Sequence, residues 1–196
     1  CKVLAPEILA IIPALQTFSV QFGSRKGQLG FWVLSTDTGI DLSVEGMEHQ
    51  LEKDLGLFAL WAGSNGIARL SIGNEIICQH QAPQLTFGKV TVSTPPRAFT
   101  QATPQGEKTL QDAVGLALAG ADKVIDLFSG VGTLSLPLAG VATLHCVEND
   151  KGLLDALAHG VRHTQGIKSV TTSARDLYRN PVDHTDLIKF NAAIVD

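Results

Sequence analysis

Apolar residues change their rhythm near the middle of this chain. Ile8, Leu9, Ile12 and Leu15 recur at helical spacing behind Pro6, which a first helical turn tolerates, so residues 1–16 should open with a short helix. Short runs follow. Phe18–Phe22, Gly30–Leu34 and Ile40–Val44 read as strands, with turns at Gly23–Gly27 and Thr36–Gly39, and together they predict an antiparallel meander. Leu51, Leu55, Phe58 and Leu60–Trp61 return to a helical period and predict a helix over Met47–Trp61. Ala68–Ile72, Glu75–His80 and Leu85–Val92 then read as further strands, with turns at Gly73–Asn74 and Gly88. Residues 1–95 are thus expected to form a small α+β subdomain, with Pro95-Pro96 as its boundary.

The second half, residues 96–196, alternates differently. Thr103-Pro104 is a capping residue followed by proline at the first helical position, and Leu110, Val114, Ala117 and Leu118 mark one face of the helix it starts. Val124–Phe128 is a strand of the fully buried kind, Ser129–Thr133 a glycine loop, and Leu134–Leu138 a short helix start limited by Pro137. Thr143–Val147 is a second strand. Asp150–His163 is a helix with Leu153, Leu154, Leu157 and Val161 inward and Gly166 as its stop. Ser169–Ser173 and Asn191–Val195 complete four strands. Apolar strands alternating with helices imply parallel βαβ units. The expected fold class is α/β, with an incomplete Rossmann-like sheet preceded by the α+β subdomain.

Composition narrows the function. Of 196 residues 44% are hydrophobic and 17% charged, against roughly 25% charged in an average domain. Such a chain buries a core and is not disordered. The apolar stretch Ile8–Leu15 is cut by Pro13, well short of the roughly 20 residues a membrane span needs, so no membrane partner is expected. The net charge of −4 and isoelectric point near 5.8 lack the basic signature of many nucleic-acid binders. Cys1, Cys78 and Cys146 are odd in number and widely spaced, which is no disulfide framework. With no targeting segment, a cytoplasmic setting is the simple expectation. The chain starts at Cys1, has Met47 as its single methionine and stops at Asp196 after an apolar run. It reads as a middle piece of a longer protein.

The chemistry concentrates in Asp126-Leu127-Phe128-Ser129-Gly130-Val131-Gly132-Thr133. A strand enters a G-x-G turn, whose glycines allow positive φ and close backbone approach to a ligand. Free N–H groups beyond it favour polar ligands. Glu148 ends the second strand at the distance where a carboxylate meets a ribose hydroxyl pair. A dinucleotide fingerprint would place a third glycine where Ser135 stands, and Asp126 at the mouth of the loop would repel a pyrophosphate. A cationic ligand such as S-adenosylmethionine suits that carboxylate, and NAD is disfavoured. Asp176 after the third strand and Asp196 after the fourth put two more acids on the same sheet edge; Asp176 is equally suited to cap the turn that follows it.

These residues resemble a family. Asp126–Ala139 (DLFSGVGTLSLPLA) is similar to the S-adenosylmethionine loop of the RNA uracil-5-methyltransferases, which make 5-methyluridine in ribosomal and transfer RNA. Phe99-Thr100-Gln101 resembles the family's F-x-Q segment, in which Gln contacts the methionine part of the cofactor. Thr103 and Thr133 stand where the family usually has Asn. The resemblance implies cofactor contacts from Gln101, Asp126, Phe128, Gly130, Gly132, Thr133, Glu148, Asp176 and Asp196, with Glu148 on the ribose, Asp176 beside the adenine, and Ala193–Asp196 leading into a D-P-P-R motif. Cys1-Lys2-Val3-Leu4-Ala5-Pro6 resembles a C-P-x-L-x-P segment whose Cys is a ligand of a [4Fe–4S] cluster, with Lys2 in place of Pro. Such a cluster needs about four ligands, so Cys1 could serve one only in a longer protein. The family's nucleophilic Cys and general base match no residue here. The resemblance therefore implies an RNA (uracil-5)-methyltransferase acting on ribosomal or transfer RNA, with this piece holding the donor site and inactive alone.

Two other function classes share the loop: a small-molecule or protein methyltransferase, and a non-catalytic module binding cofactor or RNA. Phe99-x-Gln101 and the Cys1 segment argue against the first. Arg25, Lys26, Lys89 and Arg97 sit at first-half turns where phosphates could be met, though solvated surface charge explains each one alone. Cys78 and His80 share a strand face, and His159 and His163 a helix face, but neither pair has further ligands in reach of sequence, so no metal is assigned.

Overall fold

The helix that opens the chain runs well past the residues whose spacing predicts it. In the computed structural model, which describes residues 4–24, 27–47, 51–73, 75–101 and 103–196 (backbone alone for 51–53), α1 spans Pro6–Phe22. Phe18–Phe22 is therefore not a strand. In a helix Phe18 and Phe22 fall on one face with Ile11 and are buried, while Val20 between them is 87% exposed. The predicted turn at Gly23–Gly27 includes Arg25 and Lys26, which lie outside the described residues, as does Asn74 of the turn after Gly73.

The chain divides into two compact units, Cys1–Gln84 and Leu85–Asp196. In the first, α1 is followed by β1 (Gly30–Thr36), β2 (Gly39–Glu45), α2 (Leu51–Ser64), β3 (Ile67–Ile72) and β4 (Glu75–Gln79). These strands form one sheet in the order β1-β2-β3-β4. The outer pairs are antiparallel, but β2 and β3 are parallel. The expected antiparallel meander over Phe18–Val44 is reduced to the β1–β2 pair, because its first strand belongs to α1; β2 and β3 are joined by α2, the crossover that parallel strands require. The core gathers Phe18, Phe22, Phe58 and Trp61, with ring centroids 4.7–6.0 Å apart in the pairs that touch, over Leu42, Val44, Leu70 and Ile72. Asp41 and Arg69, in register on β2 and β3, are also buried. Arg69 Nε donates to Asp41 Oδ1 at 2.9 Å and Nη2 to Oδ2 at 2.6 Å.

From Leu85 on, the second unit opens with a hairpin of β5 (Gln84–Phe87) and β6 (Val90–Ser93), turning at Gly88 with φ +61°. Then come α3 (Pro104–Ala117), β7 (Lys123–Leu127), β8 (Thr143–Glu148), α4 (Lys151–Arg162), β9 (Val170–Ala174), α5 (His184–Leu187) and β10 (Ala192–Val195). The hairpin's Phe87, Val90 and Val92 share a core with Val124, Leu144 and Leu157. A Cβ on Gly160 of α4 would lie 2.5 Å from the Thr91 carbonyl oxygen, so only glycine lets α4 lie this close to β6. This packing puts the division before the hairpin, ahead of Pro95-Pro96.

All pairings in the larger sheet are parallel, in the order β10-β7-β8-β9. The chain moves outward from β7 through β8 to β9, then returns to the other side of β7. The crevice at the carboxyl ends of β7 and β10 is thus a topological switch point, where open α/β sheets bind ligands. The expected helix at Leu134–Leu138 is a single 3₁₀ turn, Leu136–Leu138, containing Pro137. Thr103 does cap α3: its Oγ1 accepts from the Gly106 N–H at 3.0 Å. That is the job of the residue standing where the resemblance expects Asn.

Candidate cofactor site

A cavity of about 170 Å³ opens at the switch point. Gln101 borders it from the segment before α3, Asp126 and Phe128 from the end of β7, and Gly130 and Thr133 from the glycine loop. Glu148 enters from the end of β8 and Asp196 follows β10. Seven of the nine residues expected to meet a cofactor therefore converge. Gly132 and Asp176 are not among the lining residues.

The loop's shape follows from its residues. Gly130 has φ +54° and nothing within 4 Å of where a Cβ would stand, so it offers bare backbone. Gly132, at φ +87°, is a packing residue: a Cβ would come within 2.6 Å of Leu136 Cγ and 3.0 Å of Leu157 Cδ1. Phe128 is held at φ +63°, a left-handed conformation that costs a bulky residue roughly 1–3 kcal/mol and is found mostly where a site demands it. Glu148 braces this turn. Its Oε2 accepts from the Gly130 N–H at 3.0 Å, and its Oε1 from the Asn149 and Asp150 N–H groups at 2.7 and 3.0 Å. Gln111 of α3 donates from Nε2 to the Thr133 carbonyl at 3.1 Å, tying the helix to the far end of the loop.

Asp126 stands apart. It is 2% exposed, and its Oδ2 has no hydrogen-bond partner. Burial pushes its carboxyl up to about 7; a hydrogen bond from Ser135 opposes the rise, and the charges of Asp196 and Glu148 add to it. Ser129, which sequence reading passed over as a loop residue, is also buried with an unpartnered Oγ and lines the same cavity. Its position beside Gly130 was the available signal. Two buried polar atoms without a protein partner, Asp126 Oδ2 and Ser129 Oγ, on residues that line one cavity mark a place suited to a polar ligand.

The other candidates fall elsewhere. Asp176 caps the turn that follows it: its Oδ1 accepts from the Tyr178 and Arg179 N–H groups, both at 3.1 Å. That turn carries the Tyr178 ring to 5.3 Å from the Phe128 ring, at the cavity's edge. Cys146 is buried beside Ser135, and burial pushes its thiol up to about 12 with help from the Asp126 charge, which makes it a poor nucleophile. Lys89 donates to the Gly166 carbonyl at 3.1 Å. The His159 and His163 rings lie 4.2 Å apart. Cys1 lies outside the described residues; among those described, no group of three or more His, Cys, Asp or Glu is placed to hold a metal. None of the described helices is long and apolar enough to cross a membrane.

A parallel sheet with this cleft at its switch point defines a Rossmann-like fold of the kind found in S-adenosylmethionine-dependent methyltransferases. The solved tRNA (uracil-54, C5)-methyltransferase of Pyrococcus abyssi, in complex with S-adenosyl-L-homocysteine, superimposes with a TM-score of 0.62. It covers 85% of this chain and 46% of that one at 15% identity. In sequence, the chain is similar over its whole length to an uncharacterized RNA methyltransferase of Rhizobium meliloti, 36% identical and covering 47% of that protein. A more distant match is the 23S rRNA (uracil(1939)-C(5))-methyltransferase of Shewanella sediminis, 26% identical over 71% of this chain and 33% of that protein. The chain thus spans about half the length of the first curated relatives it matches, and the resemblance to RNA methyltransferases read from its loop holds along all of it. No protein-family model matches.

Proposed function

We propose that this chain is the methyl-donor-binding part of an S-adenosylmethionine-dependent RNA methyltransferase that modifies C5 of a uridine in ribosomal or transfer RNA. The observation that carries the reading is the convergence of Gln101, Asp126, Gly130 and Glu148 on one cleft at the switch point. The donor fits the residues present. Gly130 leaves room for close backbone approach, Glu148 sets a carboxylate at the end of β8, where the resembled family meets the ribose, and Asp126 and Ser129 hold buried polar atoms that no described protein group satisfies. The donor supplies an electrophilic methyl group; the chain's own residues orient it and shield it from water.

On this reading the chain performs no covalent step on uracil. Cys146 is buried with its thiol pushed up, and Cys78 lies on β4 of the other unit, so the nucleophile and base of the resembled family are assigned to the whole protein outside these residues. An iron–sulfur cluster with Cys1 as one ligand belongs to the same proposal; the described residues do not supply its other ligands, and no step here depends on it. The first unit is assigned to RNA contact and the protein to the cytoplasm, where its substrate is found. Supplying the full gene product with S-adenosylmethionine labelled in its methyl group, and ribosomal and transfer RNA lacking the modification, should put the label into 5-methyluridine. Label in another nucleoside, or in small molecules alone, would overturn the proposal.

A further inference from the structure

Asp126 belongs to a chain of three buried polar groups. Asp126 on β7 and Cys146 on β8 are in-register neighbours, and Ser135, just beyond the glycine loop, joins them. Asp126 is buried to 2% exposure, and Ser135 and Cys146 are fully buried. Ser135 is hydrogen-bonded to the Asp126 carboxyl; since Oδ2 has no partner, that bond falls on Oδ1. Ser135 Oγ also lies 3.6 Å from Cys146 Sγ. A hydroxyl has one proton to donate and two lone pairs that accept. With its proton on the carboxylate, Oγ is left to accept from the Cys146 thiol, which burial keeps protonated. The chain thus runs from thiol to hydroxyl to carboxylate. Asp126 lines the cavity, and Ser135 and Cys146 do not. Burying polar groups is costly unless each is hydrogen-bonded, and the one atom left over, Oδ2, is on the residue that borders the cleft.

We propose that Ser135 is a positioning residue of the donor site: it clamps Asp126 by one carboxylate oxygen, with Cys146 behind it, and so holds the other oxygen still for the ligand. The inference rests on the donor-site reading above and adds to it a residue that acts only through Asp126. It holds whichever polar group of the ligand meets that carboxylate. The terminal torsion of an aspartate is broad, so an unclamped carboxylate loses rotational freedom when a ligand fixes it. One already fixed through Oδ1 loses less, and the saving appears as affinity. The same clamp favours the charged form of Asp126, because a hydrogen bond to a carboxylate stabilises the carboxylate. Ser135 stands where a dinucleotide fold would have its third glycine, so the side chain that this loop carries in the glycine's place has a task here.

A double-mutant cycle tests it, with S-adenosylmethionine binding measured by calorimetry at pH 8 on this chain, Ser135→Ala, Asp126→Ala and the pair combined. Ser135→Ala should weaken binding about tenfold. Beside Asp126→Ala the same substitution should change affinity by less than about twofold, because a clamp with nothing to hold does nothing. A residue that only supports the loop would impose its full loss in both backgrounds, and that result, or unchanged affinity in Ser135→Ala, would overturn the proposal. Should Ser135→Ala fail to fold, Ser135→Cys takes its place, with similar volume and a weaker donor; its loss should be about threefold and again absent beside Asp126→Ala. A second readout needs no ligand. The ionisable groups facing Asp126 are Asp196, Glu148 and the Cys146 thiol, and the variant alters none of them. Followed by carbon-13 NMR of its carboxyl, Asp126 should therefore titrate at a higher pH in Ser135→Ala than in the unaltered chain, and an unmoved midpoint would overturn the clamp. If the unaltered chain binds no S-adenosylmethionine, the donor-site reading falls, while the titration still decides whether Ser135 holds Asp126.

Discussion

Two aspartates, one in each unit, are buried to the same 2% exposure and have opposite fates. Asp41 on β2 faces Arg69 on β3 and is gripped through both carboxylate oxygens. Asp126 on β7 has Ile194 and Cys146 as its in-register neighbours and keeps one oxygen unpartnered. The first is a closed account: charge, geometry and hydrogen bonds are complete within the fold. The second is left open at the edge of a cavity. Burial of an acid therefore does not by itself mark a site; what marks it is burial without a partner, beside a space that could admit one.

The comparison can be broken from the first side. Arg69→Met would give Asp41 the isolation of Asp126 without a cavity to justify it, and should cost roughly 3–5 kcal/mol of stability in urea denaturation, because an unpaired buried charge remains. Removing both partners, in Asp41→Leu with Arg69→Met, should recover most of the loss. A single variant as stable as the unaltered chain would show that the pair contributes nothing.

From the second side, Asp126→Asn removes a charge the fold does not compensate. The folded-state carboxyl is raised to about 7 from an ordinary 3.8, so the folded chain holds this proton more tightly than the unfolded one. The stability that Asp126 contributes is then fully present below about pH 4, is lost as pH climbs toward 7, and is absent above that. The asparagine variant escapes the decline. It should be more stable than the unaltered chain at pH 8 by no more than about 4 kcal/mol, with the advantage vanishing near pH 4, as followed by thermal unfolding across that range. A variant less stable at pH 8 would mean that Asp126 is compensated after all.

Much of this contrast was legible in the sequence, for reasons that differ between the units. The parallel sheet was readable because Val124–Phe128 and Thr143–Val147 are short, mostly apolar runs separated by helical stretches, and their centres, Val124–Asp126 and Cys146–Val147, are buried on successive positions. The loop was readable because glycines at 130 and 132 sit between a strand end and Glu148. The first unit was harder. Phe18, Val20 and Phe22 satisfy a strand's alternation and a helix's i, i+4 pairing alike, and only the tertiary fact that Val20 faces solvent decides for the helix. The parallel β2–β3 pairing also follows from where α2 packs, a long-range matter. Sequence spacing showed that Asp126 and Ser129 lie at the loop; it could not show that Asp126 Oδ2 and Ser129 Oγ lack partners, since that depends on every neighbouring strand. Nor could it separate the two glycines of the G-x-G turn.

That separation supplies the finest test. Both glycines are left-handed, at φ +54° and +87°, but a side chain at 132 would strike Leu136 and Leu157, whereas one at 130 meets nothing within 4 Å. Gly132→Ala should therefore lose roughly 2–3 kcal/mol, part from the backbone conformation and part from overpacking. Gly130→Ala should lose only about 1 kcal/mol, the conformational part. Donor binding should sort them the opposite way. Gly130 borders the cavity, so its new methyl group would occupy space offered to the ligand and weaken S-adenosylmethionine binding even in fully folded protein. Gly132 does not border it, so the surviving folded fraction of Gly132→Ala should bind with near-normal affinity. Thermal unfolding and calorimetry on the two variants give both readings. If the same substitution dominates both, the loop is a single structural unit, and the division between a glycine that packs and a glycine that receives a ligand does not hold.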